Sequence, residues 1–361
     1  MNQKIGISLL LGTVVSLTTL YFAFRNVPVK ELLAYLKSIN YVWIIPTVAA
    51  ILVAFGLRAA RWRFILASHY RVGFWQAFHP LMIGFMINCV LPGRVGEVAR
   101  PLVLNRKEAV PVSTGLATVV VERIFDLIIL LMLFLAVSAF IRIDPDYSFT
   151  FGKYRLDYEV LISVFNGMLK LGVLMVAGLL LISFGTTREL GNRLILSAPR
   201  LLFFAPASSR DRVREKICRP VVHVIENIAA GMALIKEPKR IIMCLIYSLA
   251  VWFFTALSYY IFSIGCPDIR LTFSEITAVM VIICFVIALP SVPGYWGLWE
   301  AGGIFAMLLF GVPENQAAGF TLANHAVQIL PVVVVGLISA WISGVNIRQV
   351  AERPTAISEE S

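Results

Sequence analysis

The sequence predicts an all-α polytopic membrane protein. Of its 361 residues, 59% are hydrophobic and 14% are charged, whereas a soluble domain has about 25% charged residues. Several apolar stretches reach the length of about 20 residues that a helix needs to cross a bilayer. Two shorter apolar stretches run into Pro-Gly pairs, which predicts helices that break inside the membrane. We therefore expect about six full transmembrane helices and two broken, re-entrant hairpins.

Six apolar stretches are long enough for full crossings. They are Ile5–Phe24, Tyr41–Leu57, Gly115–Ile141, Leu161–Phe184, Ile241–Ile264 and Ala317–Trp341. The first has only one charged residue, Lys4, before it and no small-residue cleavage site after it, so we interpret it as a retained helix. These stretches predict a single transmembrane domain, residues 1–341, whose halves are 1–142 and 160–341.

Basic segments predict the orientation, because cytoplasmic loops are enriched in Lys and Arg. Three such segments are expected on the cytoplasmic side: Arg58 to Arg71, Arg94 to Lys107, and the connection 185–238. Counting crossings from a cytoplasmic N-terminus also places the tail 342–361 in the cytoplasm. We therefore attribute the formal charge of +10 to the orientation of the chain in the cell (inner or cytoplasmic) membrane. Anionic phospholipid, not nucleic acid, is the expected partner.

The connection 185–238 is expected to contain an amphipathic helix. Its apolar residues recur at three- and four-residue spacing, which is typical of a helix lying on a membrane or a bundle. They are Ile217, Val221, Ile225, Ile228, Met232 and Ile235.

The two broken segments are similar to each other. The first reads LPGRVGE from Leu91 to Glu97, and the second reads VPGYWG from Val292 to Gly297, followed by Glu300. Proline ends a helix and glycine permits a turn, so we assign the breaks to Pro92, Gly93, Gly96, Pro293, Gly294 and Gly297. An odd number of crossings in each half predicts an inverted repeat, which is typical of transporters with a site near the midplane. Two full crossings by residues 275–311 are the alternative to the second hairpin.

The breaks also predict a cavity, because non-helical backbone at membrane depth must be lined by protein or water. Helices that restart near Arg94 and Trp296 would point free N–H groups at an anion. Arg94 and Arg100 would add charge that matches phosphate, although both also suit interfacial anchors. Glu97 and Glu300 follow the breaks, where the helix dipole stabilises a carboxylate. They could instead pair with an arginine, accept a substrate ammonium or hydroxyl group, or exchange protons.

A second charged group opens the third full helix. Glu122 and Asp126 lie four residues apart, and Asp126 lies three residues from Arg123. This spacing predicts either an internal ion pair or a cluster that faces the cavity. On the last helix, Asn324 and Gln328 share a face and are expected to hydrogen-bond to other helices, with contact to the substrate as the alternative.

The sequence lacks the motifs of several enzyme classes. It contains no P-loop, no dinucleotide-binding glycine fingerprint, no Gly-x-Ser-x-Gly elbow and no HExxH motif. Its five cysteines and four histidines are dispersed, without the spacing of metal ligands. We therefore expect no metal, no cofactor and no ATP-driven pump within this chain.

Three segments resemble one family, the lysylphosphatidylglycerol synthase transmembrane region, or flippase-like domain. They are NCVLPGRVGEVARPLVL from Asn88, VVERIFDL from Val120 and LPSVPGYWGLWEA from Leu289. The resemblance implies a bacterial or archaeal relative of the membrane part of enzymes that aminoacylate phosphatidylglycerol and flip the product. In such enzymes a soluble transferase domain follows the membrane part, and we expect it to be missing here because the chain ends at Ser361.

The resemblance also implies which charged positions matter. The family's recurrent charged positions fall on Arg94, Glu97, Arg100, Glu122, Arg123, Asp126 and Glu300. Tyr295 and Trp296 stand where smaller residues are expected, which leaves the shape of the second hairpin tip and the identity of the head group open.

The leading hypothesis is a lipid translocase that binds a phosphate-bearing head group between the hairpins. The alternative is a membrane enzyme or enzyme subunit that modifies a lipid head group, with Glu122 or Asp126 as general base. A third is an accessory protein whose charges form only internal ion pairs. A homodimer or a partner lipid-modifying enzyme is compatible with these hypotheses.

Overall fold

The computed structural model describes residues 3–67, 70–91, 94–140, 148–151, 154–157, 184–201, 207–222, 237–288 and 293–345, with scattered positions between 159 and 182 and between 225 and 229. The first half forms α1 (Gln3–Phe24), α2 (Val29–Ser38), α3 (Ile44–Leu66), α4 (Phe74–Val90), α5 (Gly96–Glu108) and α6 (Val112–Phe140). A short antiparallel hairpin, β1 (Ser148–Phe151) and β2 (Tyr154–Asp157), follows. Then come α7 (Gly185–Ser197), α8 (Ala207–Val213), α9 (Pro238–Ile264), α10 (Phe273–Val286), α11 (Leu298–Leu308) and α12 (Glu314–Ile342).

The described helices have the dimensions of an integral, multi-pass membrane protein. Three stretches are long and apolar enough to cross a membrane: Tyr41–Leu66, Pro238–Ile264 and Glu314–Ile342. They coincide with three of the predicted crossings, and α1 and α6 coincide with two more. The remaining predicted crossing, Leu161–Phe184, is described only at scattered positions. The β1–β2 hairpin was not predicted from the sequence.

In two pairs of consecutive helices, each helix is too short to cross a bilayer by itself. We call the two helices of a pair its arms. α4 and α5 have 17 and 13 residues, and α10 and α11 have 14 and 11. At 1.5 Å per residue these arms are about 16 to 26 Å long, against about 30 Å for the hydrocarbon core. The two arms of each pair pack against each other, as expected for re-entrant hairpins.

The breaks between the arms lie where the sequence predicted them. Gly96 is the first residue of α5, and Gly297 directly precedes α11. Gly294 and Gly297 have φ values of 69° and 89°. Residues other than glycine adopt this backbone conformation only at a cost in free energy. Pro92 and Gly93 lie outside the described residues, and Pro293 begins the short 3₁₀ turn of the second break.

The tips of the two hairpins touch each other. A Cβ on Gly294 would lie 3.2 Å from the carbonyl oxygen of Cys89, so the second break packs against the end of α4. From the first break, Arg94 donates a hydrogen bond from Nη2 to the carbonyl oxygen of Ile287, at 3.1 Å. Both breaks therefore meet in one part of the bundle.

α3 is longer than predicted, because it continues past Leu57 to Leu66. The prediction that the basic residues after Leu57 form a loop is wrong for the three that lie in this helix: Arg58, Arg61 and Arg63. The helix continues because Trp62 and Ile65 are fully buried in the bundle. Arg61 is buried with them, at 1% exposure.

Two shorter features lie outside the long helices. α2 was not predicted, and it packs on α12, where Tyr35 lies against the backbone of Gly319. In the connection 185–238, α8 leads into a π-helical turn, Arg214–Cys218. Ile217 and Val221, which belong to the predicted apolar face, are exposed. The remainder of that face lies outside the described residues or at scattered positions.

Candidate functional site

Three helices bring opposite charges together inside the bundle. α3 contributes Arg61, α5 contributes Arg100, and α6 contributes Glu122 and Asp126. All four side chains are at least nine-tenths buried. Such charges are tolerated in an apolar interior only when partners compensate their lost hydration. We call these four residues the buried charge cluster.

The hydrogen bonds of the cluster give each charge an opposite partner. Arg61 donates from Nη1 to Asp126 Oδ1 at 2.6 Å and from Nη2 to Oδ2 at 3.2 Å, a bidentate pair. Its Nε donates to Glu122 Oε1 at 3.4 Å, and Arg100 donates to the other oxygen, Oε2. Ser248 of α9 accepts a further bond from Arg61 Nη1 at 2.6 Å. The cluster thereby joins α3, α5, α6 and α9.

The cluster continues outward through a second, more open pair. Arg123 lies 3.5 Å from Asp126 Oδ2 through Nη2 and 3.9 Å from Glu97 Oε1 through Nε. The side chains of Arg123 and Glu97 are 40% and 31% exposed. This outer pair therefore connects the buried charges with the surface of the bundle.

A shallow crevice, with room for about one water molecule, opens beside the outer pair. Its polar lining consists of Asn88, Glu97, Arg100 and Arg123, from α4, α5 and α6. The Nε atoms of Arg100 and Arg123 are buried and have no hydrogen-bond acceptor among the described residues. A buried N–H without an acceptor is costly, and a charged donor more so. An anionic oxygen in the crevice would satisfy both donors.

The N-terminus of α5 does not supply free donors to this crevice. The N–H of Gly96 donates to Asn88 Oδ1 at 2.8 Å, and those of Glu97 and Val98 donate to the carbonyl oxygens of Arg94 and Val95. The prediction that a restarting helix points free N–H groups at an anion is therefore wrong for α5. Guanidinium groups supply the positive charge of this site.

The crevice depends on an unusually close approach of α4 and α5. A Cβ on Gly96 would overlap the carbonyl oxygen of Gly84, and a Cβ on Gly84 would lie 2.7 Å from the carbonyl oxygen of Gly96. The two glycines let the backbones touch, which sets Arg100 of α5 directly against α6.

Glu300 lies apart from the buried charge cluster, in the first turn of α11. It is fully buried, and its Oε2 accepts from the N–H of Gly297 at 2.7 Å. Its Oε1 lies 2.5 Å from Nδ1 of His325 in α12. Nε2 of the same imidazole lies 2.7 Å from the carbonyl oxygen of Gly294, and Trp299 stacks on the ring at 4.5 Å. Glu300 and His325 thus fix the tip of the second hairpin from both sides.

The hydrogen-bond contacts of Glu300 and His325 determine how many protons the pair holds. A carbonyl oxygen only accepts, so Nε2 of His325 carries a hydrogen and donates it to Gly294. The short contact between Nδ1 and Glu300 then needs one proton between the two groups. Whichever atom holds that proton, the pair as a whole has no net charge, which suits its complete burial.

Comparison with known proteins bears on the same residues. The sequence profile of the lysylphosphatidylglycerol synthase transmembrane region matches residues 9–336. The chain belongs to this family. Two UPF0104 membrane proteins of Methanocaldococcus jannaschii are also similar, each at 23% identity. One is aligned over 265 residues, 72% of this chain and 95% of the relative, and the other over 296 residues, 79% and 80%. No solved structure matches the chain.

The family match spans both hairpins and confirms the resemblance inferred from their motifs. In this member of the lysylphosphatidylglycerol synthase transmembrane region family, five predicted site residues come together: Glu97, Arg100, Glu122, Arg123 and Asp126. Two others do not join them, because Arg94 contacts α10 and Glu300 pairs with His325.

Sequence reasoning missed two residues of these sites. Arg61 was assigned to a loop, although apolar positions at Trp62 and Ile65 continue the helical pattern around it. His325 was regarded as dispersed, although it adjoins a polar face on α12. On that face, Gln328 donates to Ser258 Oγ of α9 at 3.0 Å, which confirms the predicted link between helices.

Proposed function

We propose that this protein moves a lipid with a phosphate-bearing head group across the membrane. The proposal rests on one observation: two arginines that line the crevice, Arg100 and Arg123, each have a buried Nε donor without a hydrogen-bond acceptor among the described residues. The planar fork of arginine matches the oxygens of a phosphate group. The family name, which refers to a phospholipid synthase, agrees with a lipid ligand.

The charges at the crevice are suited to a head group. Asp126 and Glu97 lie on two sides of the Arg123 guanidinium, so this group is already oriented before the ligand arrives. Glu97 lies at the same opening and would repel a bare anion while accepting a hydroxyl or ammonium group of a lipid head. The acyl chains remain in the bilayer.

The two hairpins provide a route for alternating access. We assign them to inverted halves that enter the membrane from opposite faces, with both termini in the cytoplasm. A hydrogen bond from Arg94 to Ile287 joins their tips, so a shift of one hairpin would displace the other. Rocking of inverted halves around a central site is how transporters of this architecture work.

A lipid head-group transferase that used Glu122 or Asp126 as its general base would require that carboxylate to be free, and the geometry argues against this. Both oxygens of Glu122 accept from guanidinium groups, and both oxygens of Asp126 do the same. A carboxylate held in this way is a poor proton acceptor.

The test is lipid movement in proteoliposomes. Vesicles with acyl-chain-labelled phosphatidylglycerol are treated with dithionite, which destroys only the label in the outer leaflet. We expect rapid loss of the inner label with the wild type and at least a tenfold slower loss with Arg123→Gln. The matched control is Arg193→Gln, which changes an 81% exposed side chain of α7. Equal rates for Arg123→Gln and the wild type, with both folded, would overturn the proposal.

A further inference from the structure

A fourth guanidinium group lies behind the crevice without a carboxylate of its own. Arg58 of α3 forms no ion pair within 4 Å in the part of the chain that the structure describes. In the same part of the chain its only hydrogen bond is a long one, from Nη2 to Thr255 Oγ1 at 3.5 Å. Its guanidinium lies over the rings of Phe55 and Phe85, at 5.0 Å and 5.7 Å from their centroids. Aromatic faces attract a cation but do not neutralise it.

The charges of this region leave one positive charge in excess. Four guanidinium groups face three carboxylates: Arg58, Arg61, Arg100 and Arg123 against Glu97, Glu122 and Asp126. Arg58 interacts electrostatically with Asp126, but both oxygens of that carboxylate already accept from Arg61. An uncompensated arginine within a membrane-spanning helix is costly and marks a ligand path in many membrane proteins.

One aromatic side chain contacts both Arg58 and the crevice. Phe85 of α4 is part of the crevice lining. The same ring lies against the Arg58 guanidinium and packs edge-to-face on Phe55, with 5.0 Å between centroids. Phe85 is therefore the side chain whose rotation would open a way from the crevice to Arg58.

We propose that Arg58 is a second anion-binding residue, which the phosphate of the head group reaches from the crevice when Phe85 turns aside. The phosphate passes from Arg123, at the opening, to Arg58, which is partly buried beside α4. This step rests on the proposed function for its biological purpose. The binding of an anion at Arg58 can nevertheless be measured without any transport.

A native cysteine can report occupancy of this inner site. Cys284 of α10 lies near Arg58, and it is partly buried. We therefore follow its alkylation by a water-soluble maleimide in the purified full-length protein, with peptide mass spectrometry to separate it from the other cysteines. The probe ligand is dioctanoyl phosphatidate, and the variants are Phe85→Ala, Arg58→Met and Arg58→Lys.

The expected result has three parts. Phe85→Ala speeds alkylation of Cys284 at least fivefold, and dioctanoyl phosphatidate slows it again at least fivefold. Adding Arg58→Met to Phe85→Ala abolishes the protection, whereas Arg58→Lys retains part of it. Arg63→Gln, an exposed position on the same helix, leaves the protection unchanged.

The opposite results separate this inference from the proposed function. Full protection of Cys284 in Arg58→Met, or a Cys284 that never reacts in Phe85→Ala, would overturn the inner site. Lipid transport that depends on Arg123 could still stand in that case. Conversely, protection that requires Arg58 without any lipid transport would support the inner site and overturn the proposed function.

Discussion

Glu122→Gln should be strongly destabilising, because Glu122 is the shared partner of two buried arginines. Its Oε1 accepts from Arg61 and its Oε2 from Arg100, and the side chain is 1% exposed. Glutamine has nearly the same shape but no charge, and its NH₂ group would face a guanidinium group. Arg61 would keep Asp126 as its partner, whereas Arg100 has no other ion pair among the described residues.

The magnitude follows from the loss of one partner in a buried ion pair. Such a loss leaves an uncompensated charge and costs about 3–5 kcal/mol. Removing that charge as well, with Arg100→Met, should restore part of the stability. The double variant should lose about 2 kcal/mol less unfolding free energy than the two single variants lose together. This difference is within the range of couplings between residues in direct contact.

The assay is reversible unfolding in mixed micelles, followed by far-ultraviolet circular dichroism. Glu189→Gln is the matched control, because its pair with Arg193 is exposed and should change the free energy of unfolding by less than about 1 kcal/mol. A Glu122→Gln variant within about 1 kcal/mol of the wild type, or a double variant with purely additive effects, would refute the reasoning.

Three further predictions concern the hairpins. His325→Ala should lower the free energy of unfolding by about 3–5 kcal/mol, because it leaves Glu300 buried without its partner; a change below about 1 kcal/mol would contradict this. Gly96→Ala should sharply reduce the yield of folded protein, because its Cβ overlaps the backbone of α4. The control is Gly56→Ala, which has nothing within 4 Å of its Cβ and should be neutral or stabilising by about 0.5–1 kcal/mol. Similar yields of Gly96→Ala and Gly56→Ala would be inconsistent with the close packing of α4 and α5. Arg94→Ala should leave stability within about 1 kcal/mol but slow lipid transport, and an unchanged transport rate would show that the bond between the hairpin tips is dispensable.

Local sequence patterns located the breaks between the short helices. Proline and glycine act on the backbone of their own segment, so the breaks and the first-turn positions of Glu97 and Glu300 could be located without knowledge of the packing. The spacing of Glu122, Arg123 and Asp126 likewise placed them correctly on one helix. These are effects within a few residues along the chain.

The partners of these charges could not be predicted, because they come from distant segments. Arg61 lies 61 residues before Glu122, and its position in the sequence resembles that of a cytoplasmic anchor. His325 lies 25 residues after Glu300, and only the packing of α11 against α12 brings them together. The sequence also did not reveal that the first N–H group of α5 is already hydrogen-bonded, because its acceptor, Asn88 Oδ1, lies on the other side of the break from Gly96.

The most direct test of the central claim compares two lipids in one vesicle preparation. Wild-type protein is reconstituted with acyl-chain-labelled phosphatidylglycerol and phosphatidylcholine, which carry distinguishable labels, and transbilayer movement of both is followed at once. Because Arg100 and Arg123 at the crevice have Nε donors without hydrogen-bond acceptors among the described residues, the account predicts that the anionic lipid moves at least tenfold faster. Equal rates for both lipids, or no movement of either, would contradict it.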